Sequence, residues 1–383
     1  MKLKSVLPLA VFGMLLTVAL CTGSQLFLLL SVLFLLVFAG ALIAVIWAAA
    51  TLEVSGDLSG EAVQRDDDII LTLRVRHRGL FPIAPLLLEL SDPFGNREKE
   101  VRLKNMPRRL QSIRLPIHAA HVGVFSVGLR SCTVEDLLGL AARQVSLRQT
   151  SFELVVLPRT FGVEPLTLAP GDPGSELMSR ATEDLNAPSD IRNYQPGDAM
   201  KKIHWKLSLR KRELIVRKYD EPILQDVLIL MDCSPPPSWG NARAAADIRD
   251  TLLETAASVL TSQAATDHQF RMPLPGKTPV DVVKSMGLPI AMDYLSRVEF
   301  TETDRFERVL SMESRRLRKV GCVVVISARL NIPMVDIMIR MHRTGPNIRL
   351  YLVTFAPEDD NVLPLIARLR EAGLEVSYVT PEL

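Results

Sequence analysis

Charge is missing from one long stretch near the start of the chain and scattered through the rest. No Asp, Glu, Lys or Arg occurs from Ser5 to Leu52. As one helix these 48 residues would reach about 72 Å, more than twice a ~30 Å hydrocarbon core. The run therefore predicts two spans with a break between them, and Cys21-Thr22-Gly23-Ser24-Gln25 supplies the small and polar residues for it. The first span reads as Ser5–Leu20 and the second as Leu26–Ala50, with Trp47 near one end where an interfacial aromatic belongs. A cleaved signal peptide is the competing reading, with Lys2 and Lys4 as the basic end and Val6–Leu20 as the apolar core. No Ala-x-Ala site follows, Leu20 stands before Cys21 where a lipobox wants a small residue, and a second apolar run begins at once. The expectation is a transmembrane helical hairpin over 1–52. Lys2 and Lys4 place its N-terminus in the cytoplasm, and two spans return the chain to that side. The expected location is thus the inner (plasma) membrane, with cytoplasmic soluble domains.

Beyond the hairpin the period changes to two. After Ile70, Leu71, Leu73 and Val75 point one way and Thr72, Arg74 and Arg76 the other, the pattern of a half-buried strand. Leu86–Leu90, Ile113–Ile117, Val124–Leu129 and Phe152–Leu157 are further candidates. Turn signals at Arg78-Gly79, Asp92-Pro93-Phe94-Gly95-Asn96 and His121-Val122-Gly123 separate them. Short strands at this spacing predict a β-sandwich over 53–160. His118 and His121 form no recognisable metal-ligand spacing, and no acidic or Cys neighbour stands beside them in sequence.

From 226 to 383 the pattern alternates between strands and helices. Val227–Met231, Val320–Ser327, Arg349–Phe355 and Glu375–Tyr378 read as strands. Ala242–Gln263, Val335–His342 and Leu363–Glu371 read as helices, the first with Ile248, Leu252, Ala256 and Val259 on one face. This alternation predicts a mostly parallel, doubly wound α/β sheet.

Charge adds one contrast. Lys and Arg total 45 and Asp and Glu 43, and two of the cations are Lys2 and Lys4, so the body from Glu53 onward is neutral. A neutral body argues against nucleic acid as a partner. Four cysteines without Cys-x-x-Cys spacing argue against a zinc ribbon, a redox motif or a disulfide scaffold. Within 161–225, a linker and motif region, Asp190–Glu221 holds nine Lys or Arg against five Asp or Glu. Here Pro196-Gly197 forms a turn and Asp198 is a candidate N-cap for a short helix. In that helix Met200, Ile203 and Leu207 would share a face, with Lys202, Lys206 and Arg210 as a cationic stripe beside it. A strand template also fits, with Ile203, Trp205, Leu207 and Leu209 on one face; Asp198 favours the helix. Leu214-Ile215-Val216 reads as a strand. The region is either a solvated face anchored by Trp205 or a docking surface for an acidic partner or anionic lipid. His204 with Asp198 lacks a paired nucleophile, so no catalytic residues are assigned.

Arg192-x-Tyr194-x-Pro196-Gly197-Asp198, then Ile203-His204-Trp205-Lys206, Arg210 and Leu214-x-Val216-Arg217, resembles the signature of domain-of-unknown-function family 58. The family usually has Arg where Lys201 or Lys202 stands and Ala where Leu209 stands. Val134-Glu135-Asp136-Leu137-Leu138-Gly139-Leu140 resembles the Asp-x-x-Gly-Leu end of its upstream β region. The resemblance implies a von Willebrand factor A-like domain over 226–383. In that fold the first strand ends in Asp-x-Ser-x-Ser, a source of hard oxygen ligands for a divalent cation. Asp232 and Ser234 match, but Pro236 replaces the second Ser and Ala328 stands where a later Asp would fall. Thr278 is a candidate middle ligand. The metal site reads as degenerate, and no cofactor is expected; Asp232 and Ser234 would then cap the next helix or order its loop.

The sequence reading is thus multidomain: hairpin, sandwich, signature motif, then α/β domain. The resemblance implies a non-enzymatic membrane scaffold or adaptor working beside a MoxR-type AAA+ ATPase, often with a transglutaminase-like membrane protein, in complex assembly or cell-envelope maintenance. The alternatives are an enzyme built on Asp198 and His204, which lacks a convergent nucleophile, and a metal-dependent adhesion protein, which needs an outward-facing domain and an intact metal site.

Overall fold

A computed structural model describes residues 6–77, 85–95, 99–103, 111–136, 139–145, 150–166, 188–195, 200, 203–219, 226–237, 241–266, 268–276, 278–301, 305–317 and 320–381. It divides into two compact units, Met1–Leu157 and Pro158–Leu383.

The first unit opens with two apolar helices, Val6–Thr22 and Gln25–Thr51. Gly23 separates them at φ +63°, a left-handed conformation that glycine adopts without a Cβ clash. The break therefore falls inside the predicted segment. The second helix has 27 residues, about 40 Å, and is long and apolar enough to cross a membrane. The first has 17, about 26 Å, and falls short of that length.

The second helix runs without a linker into β1. Leu52, its C-cap, is already extended, and Ala48 and Leu52 belong to the same apolar core as the strands that follow. Those strands are β1 (Leu52–Leu58), β2 (Ala62–Gln64), β3 (Asp68–His77), β4 (Leu86–Ser91), β5 (Lys99–Leu103), β6 (Gln111–His118), β7 (Gly123–Glu135), β8 (Ala142–Gln144) and β9 (Ser151–Leu157). They form one sheet ordered β1-β3-β6 and a second ordered β2-β9-β7-β4-β5, with β8 paired to β7. Ile69, Leu71, Leu73 and Val75 of β3 and Leu86, Leu88 and Leu90 of β4 fill one core with Val127, Leu129, Leu154 and Val156. The period-two expectation thus holds in both sheets, and β7 extends well beyond Val124–Leu129. At Gly128 (φ +149°) β7 runs close against the residue that precedes β9: a Cβ there would lie 2.0 Å from the Thr150 carbonyl oxygen. The acidic end of the β region is a tight turn. Asp136 accepts a hydrogen bond from Ala141 N–H through Oδ1 at 2.8 Å, and Gly139 adopts φ +70°. His118 does have acidic neighbours, contrary to its sequence surroundings: Nδ1 lies 3.0 Å from Asp68 and Nε2 3.7 Å from Asp66.

In the second unit β10 (Pro188–Asn193) pairs antiparallel with β11 (Ile215–Tyr219). The six remaining strands form one sheet: β12 (Asp226–Met231), β13 (Phe270–Leu274), β14 (Val280–Val283), β15 (Val320–Ser327), β16 (Asn347–Val353) and β17 (Glu375–Val379). Their order is β14-β13-β12-β15-β16-β17, parallel except for β14. Leu228, Leu230, Val323, Val325, Leu350 and Leu352 pack against helices Phe306–Glu313, Ile332–Arg343 and Leu363–Glu371. Side chains alternate across a strand, so Val227, Ile229, Val324 and Ile326 face the other way, where helix Ala242–Ala265 contacts β12, β15 and β16. A further helix, Leu288–Ser296, lies against it.

Candidate functional site

The described signature residues lie on or beside a seven-residue helix, Trp205–Lys211, which packs on β11, the partner of β10. The helix starts later than predicted. Its N-cap is His204, whose Nδ1 accepts from Leu207 N–H at 3.3 Å; Asp198, the expected cap, lies outside the described residues. Ile203 precedes the helix, is buried, and bridges to Val216, while Met200 is exposed. The predicted shared face of Met200, Ile203 and Leu207 therefore does not form. Of the cationic stripe, Lys206 and Arg210 lie on the helix. Pro196, Gly197, Asp198 and Lys202 lie outside the described residues.

Two backbone-directed contacts fix the helix to β11. His204 N–H donates to Ile215 O at 2.8 Å. Ser208, buried, accepts from Ile215 N–H at 2.9 Å. Ser208 was not singled out by the sequence. The one available signal was its spacing of four from His204, which puts both residues on the face turned to the strand. Arg192 sits on β10 opposite Val216, and Tyr194 N–H donates to Leu214 O at 2.8 Å.

With that face committed to β11, the neighbouring side of the helix is open. Trp205 is 56% exposed and Leu209 79%, one helical turn apart. Lys206, Arg210, Lys211 and Arg212, next to them in the chain, are all exposed, as is Glu213. Arg212 closes the helix in the left-handed conformation at φ 57°. Arg210 and Lys211 also suit the negative end of the helix dipole, which explains two cations but not the exposed indole. Trp205 is not a core residue. His204 is occupied as a cap, and the arrangement offers no paired nucleophile among the described residues.

The degenerate metal motif lies elsewhere in this unit. Asp232 follows β12 and is 2% exposed. Its Oδ1 accepts from Ser234 N–H at 3.0 Å and from Ser234 Oγ at 2.6 Å, so these residues order the loop; the next helix is capped by Asn241 instead. Thr278 lines a separate cavity with Tyr294 and Arg297, and the threonine beside Asp232 is Thr301, whose N–H donates to Cys233 O at 3.1 Å. No cluster of three or more His, Cys, Asp or Glu suited to a metal occurs among the described residues. All four cysteines are free. Burial pushes the Cys132 and Cys322 thiols up to about 12, and burial followed by the Asp232 charge pushes Cys233 up as well, so none of the three is a poised thiolate.

Residues 190–369 match the family model described as Protein of unknown function DUF58. No curated protein matches the chain. Among solved structures, the CARDB domain of a Pyrococcus furiosus protein, in complex with di-metal ions, is 13% identical and covers 28% of this chain and 86% of its own, at a TM-score of 0.20. The cohesin module of a Clostridium perfringens family 33 glycoside hydrolase is 12% identical, covering 28% and 96%, also at 0.20. Cwp6 from Clostridium difficile is 9% identical, covering 86% and 37%, at 0.19. Likeness at this level assigns neither fold nor activity.

Proposed function

The chain belongs to the DUF58 family through residues 190–369, and from that premise we propose that it is a membrane-anchored, non-enzymatic scaffold or adaptor for an acidic protein partner. The partner implied by the family resemblance is a MoxR-type AAA+ ATPase, with a transglutaminase-like membrane protein as a further member of the assembly. In this reading both apolar helices span the inner membrane and the soluble units are cytoplasmic. The two sheets sharing one core form a β-sandwich, and the parallel sheet with its covering helices is a von Willebrand A-like domain.

The observation that carries the proposal is the exposed Trp205–Leu209 pair on a short helix that also exposes Lys206, Arg210 and Lys211, with Arg212 next in the chain. Trp is the residue type most enriched at interface hot spots, and surrounding cations steer an acidic surface toward it. The local cationic excess sits in a body that is otherwise acidic on balance. The test is capture of the purified MoxR-type ATPase of the same organism by the full-length chain in detergent. Lys206→Glu with Arg210→Glu should weaken capture most at low salt, and Trp205→Ala should weaken it at all salt concentrations. Unchanged capture by both variants would reject the surface. Retention by anionic but not neutral vesicles of a wild type that ignores the ATPase would reassign the patch to lipid.

A further inference from the structure

The carboxyl ends of β12 and β15 meet where the winding of the sheet reverses. From β12 the chain passes through helix Ala242–Ala265 to β13 on one side, and from β15 through helix Ile332–Arg343 to β16 on the other. In open parallel sheets such a switch point is the usual ligand crevice. Here the chain's own side chains occupy it. Asp232 and Ser327, both buried, end the two strands, and Ser327 Oγ donates to Asp232 Oδ2 at 2.9 Å. Arg329 N–H donates to Ser327 Oγ at 3.1 Å, which holds the following residue against the pair. The Arg329 guanidinium then reaches back, with Nε 3.5 Å from Asp232 Oδ2 and Nη2 donating to the Pro235 carbonyl oxygen.

We propose that Arg329 is a built-in counter-cation for Asp232, so that this crevice is closed by the chain itself and its stability does not depend on a divalent cation. A buried carboxylate requires a compensating charge or full hydrogen bonding. Asp232 has both: three donors from Ser234 and Ser327 and one guanidinium. A divalent cation would need six or more oxygen ligands. Pro236 and Ala328 offer no side-chain oxygen, and a guanidinium 3.5 Å from the same carboxylate repels a second cation. The adjoining cavity, lined by Asp232, Cys233, Thr301 and Phe306, measures about 30 Å³, the space of one water. Arg329 has a second, lesser acidic neighbour in Glu307, whose carboxyl is held below the usual range first by a hydrogen bond from Asn331 and then in small part by Arg305 and Arg329. Any test must therefore isolate Asp232.

Thermal unfolding of the full-length chain in detergent does so. The wild type should melt at the same temperature in EDTA and in excess Mg²⁺ or Mn²⁺. Arg329→Ala should lower the midpoint by about 5 °C or more, because it strands a buried charge. Asp232→Asn in that background should recover at least half of the loss, a coupling that Glu307 cannot mimic. If Arg329→Ala does not fold, recovery of the fold by the double variant supports the pair, and failure to recover contradicts it. Additive single effects, or a Mn²⁺-dependent rise in the wild-type midpoint that Asp232→Asn abolishes, would overturn the proposal.

Discussion

Ser208 and Trp205 are three residues apart on one short helix and do opposite work. Ser208 turns inward and takes up the Ile215 N–H, a donor that has no access to water. Removing the hydroxyl strands that donor, which costs roughly 1–3 kcal/mol. Ser208→Ala should therefore lower the unfolding midpoint by about 2–6 °C for a unit of this size. Trp205→Ala removes a ring that is mostly in solvent and should leave the midpoint unchanged, since exposed substitutions stay within about 0.5 kcal/mol. A thermal melt of the two variants checks both; equal losses would mean that the indole is part of the fold. The sequence made Trp205 conspicuous but not its direction. Helix and strand templates both fitted the stretch, and each predicted a different apolar face. Asp198 broke the tie for a good local reason but lies outside the described residues, and the Ile203–Val216 bridge sets Ile203 apart from the helix that His204 caps.

At the scale of elements, the join between helix Gln25–Thr51 and β1 constrains the molecule most. Ala48 is buried in the β core while Trp47, its neighbour, is half exposed. The last turn of the helix is thus part of the β unit, and the helix's exposed large apolar side chains end at Trp47. Ala48→Asp would place an unpaired charge in that core and should destabilise the β unit by several kcal/mol. Limited proteolysis within 53–157 would report it as faster cleavage, whereas cleavage at the wild-type rate would mean the helix end is not integral to the core. The elements visible in sequence were those with a strong period or an unbroken apolar run: both apolar helices, β3, β4, β6, β7, β9, β11, β12, β15, β16, β17 and helices Ala242–Ala265, Ile332–Arg343 and Leu363–Glu371. Those it passed over lack a period of their own. β10 has a single apolar side chain, Ile191, and exists because β11 pairs with it. β13 carries Pro273 and pairs antiparallel with the short strand β14. β1 alternates with Glu53, Ser55 and Asp57, but its continuity with an apolar helix hid the change of period.

At the scale of the whole molecule, one proposal joins the membrane anchor to the cationic helix: both soluble units face the cytoplasm, where the ATPase is. A reporter active only outside the cytoplasm, fused after Leu383, should be silent, and a strong signal there would reverse the topology and return the adhesion reading to consideration. The architecture of both units was largely legible, because burial imposes periods of two and 3.6 on the sequence. The proposed docking surface was half legible: its charges are a matter of counting, but whether an aromatic among them is core or surface depends on which face the neighbouring strand takes. The most direct measurement is the affinity of the MoxR-type ATPase for the full-length chain in nanodiscs, as wild type, Trp205→Ala and Lys206→Glu with Arg210→Glu, over a range of salt. The account predicts that Trp205→Ala weakens binding about thirtyfold at every salt concentration, as loss of a hot spot worth about 2 kcal/mol should. It also predicts that the double charge reversal weakens binding chiefly at low salt, with both variants melting like the wild type. Equal affinities for all three proteins would contradict it.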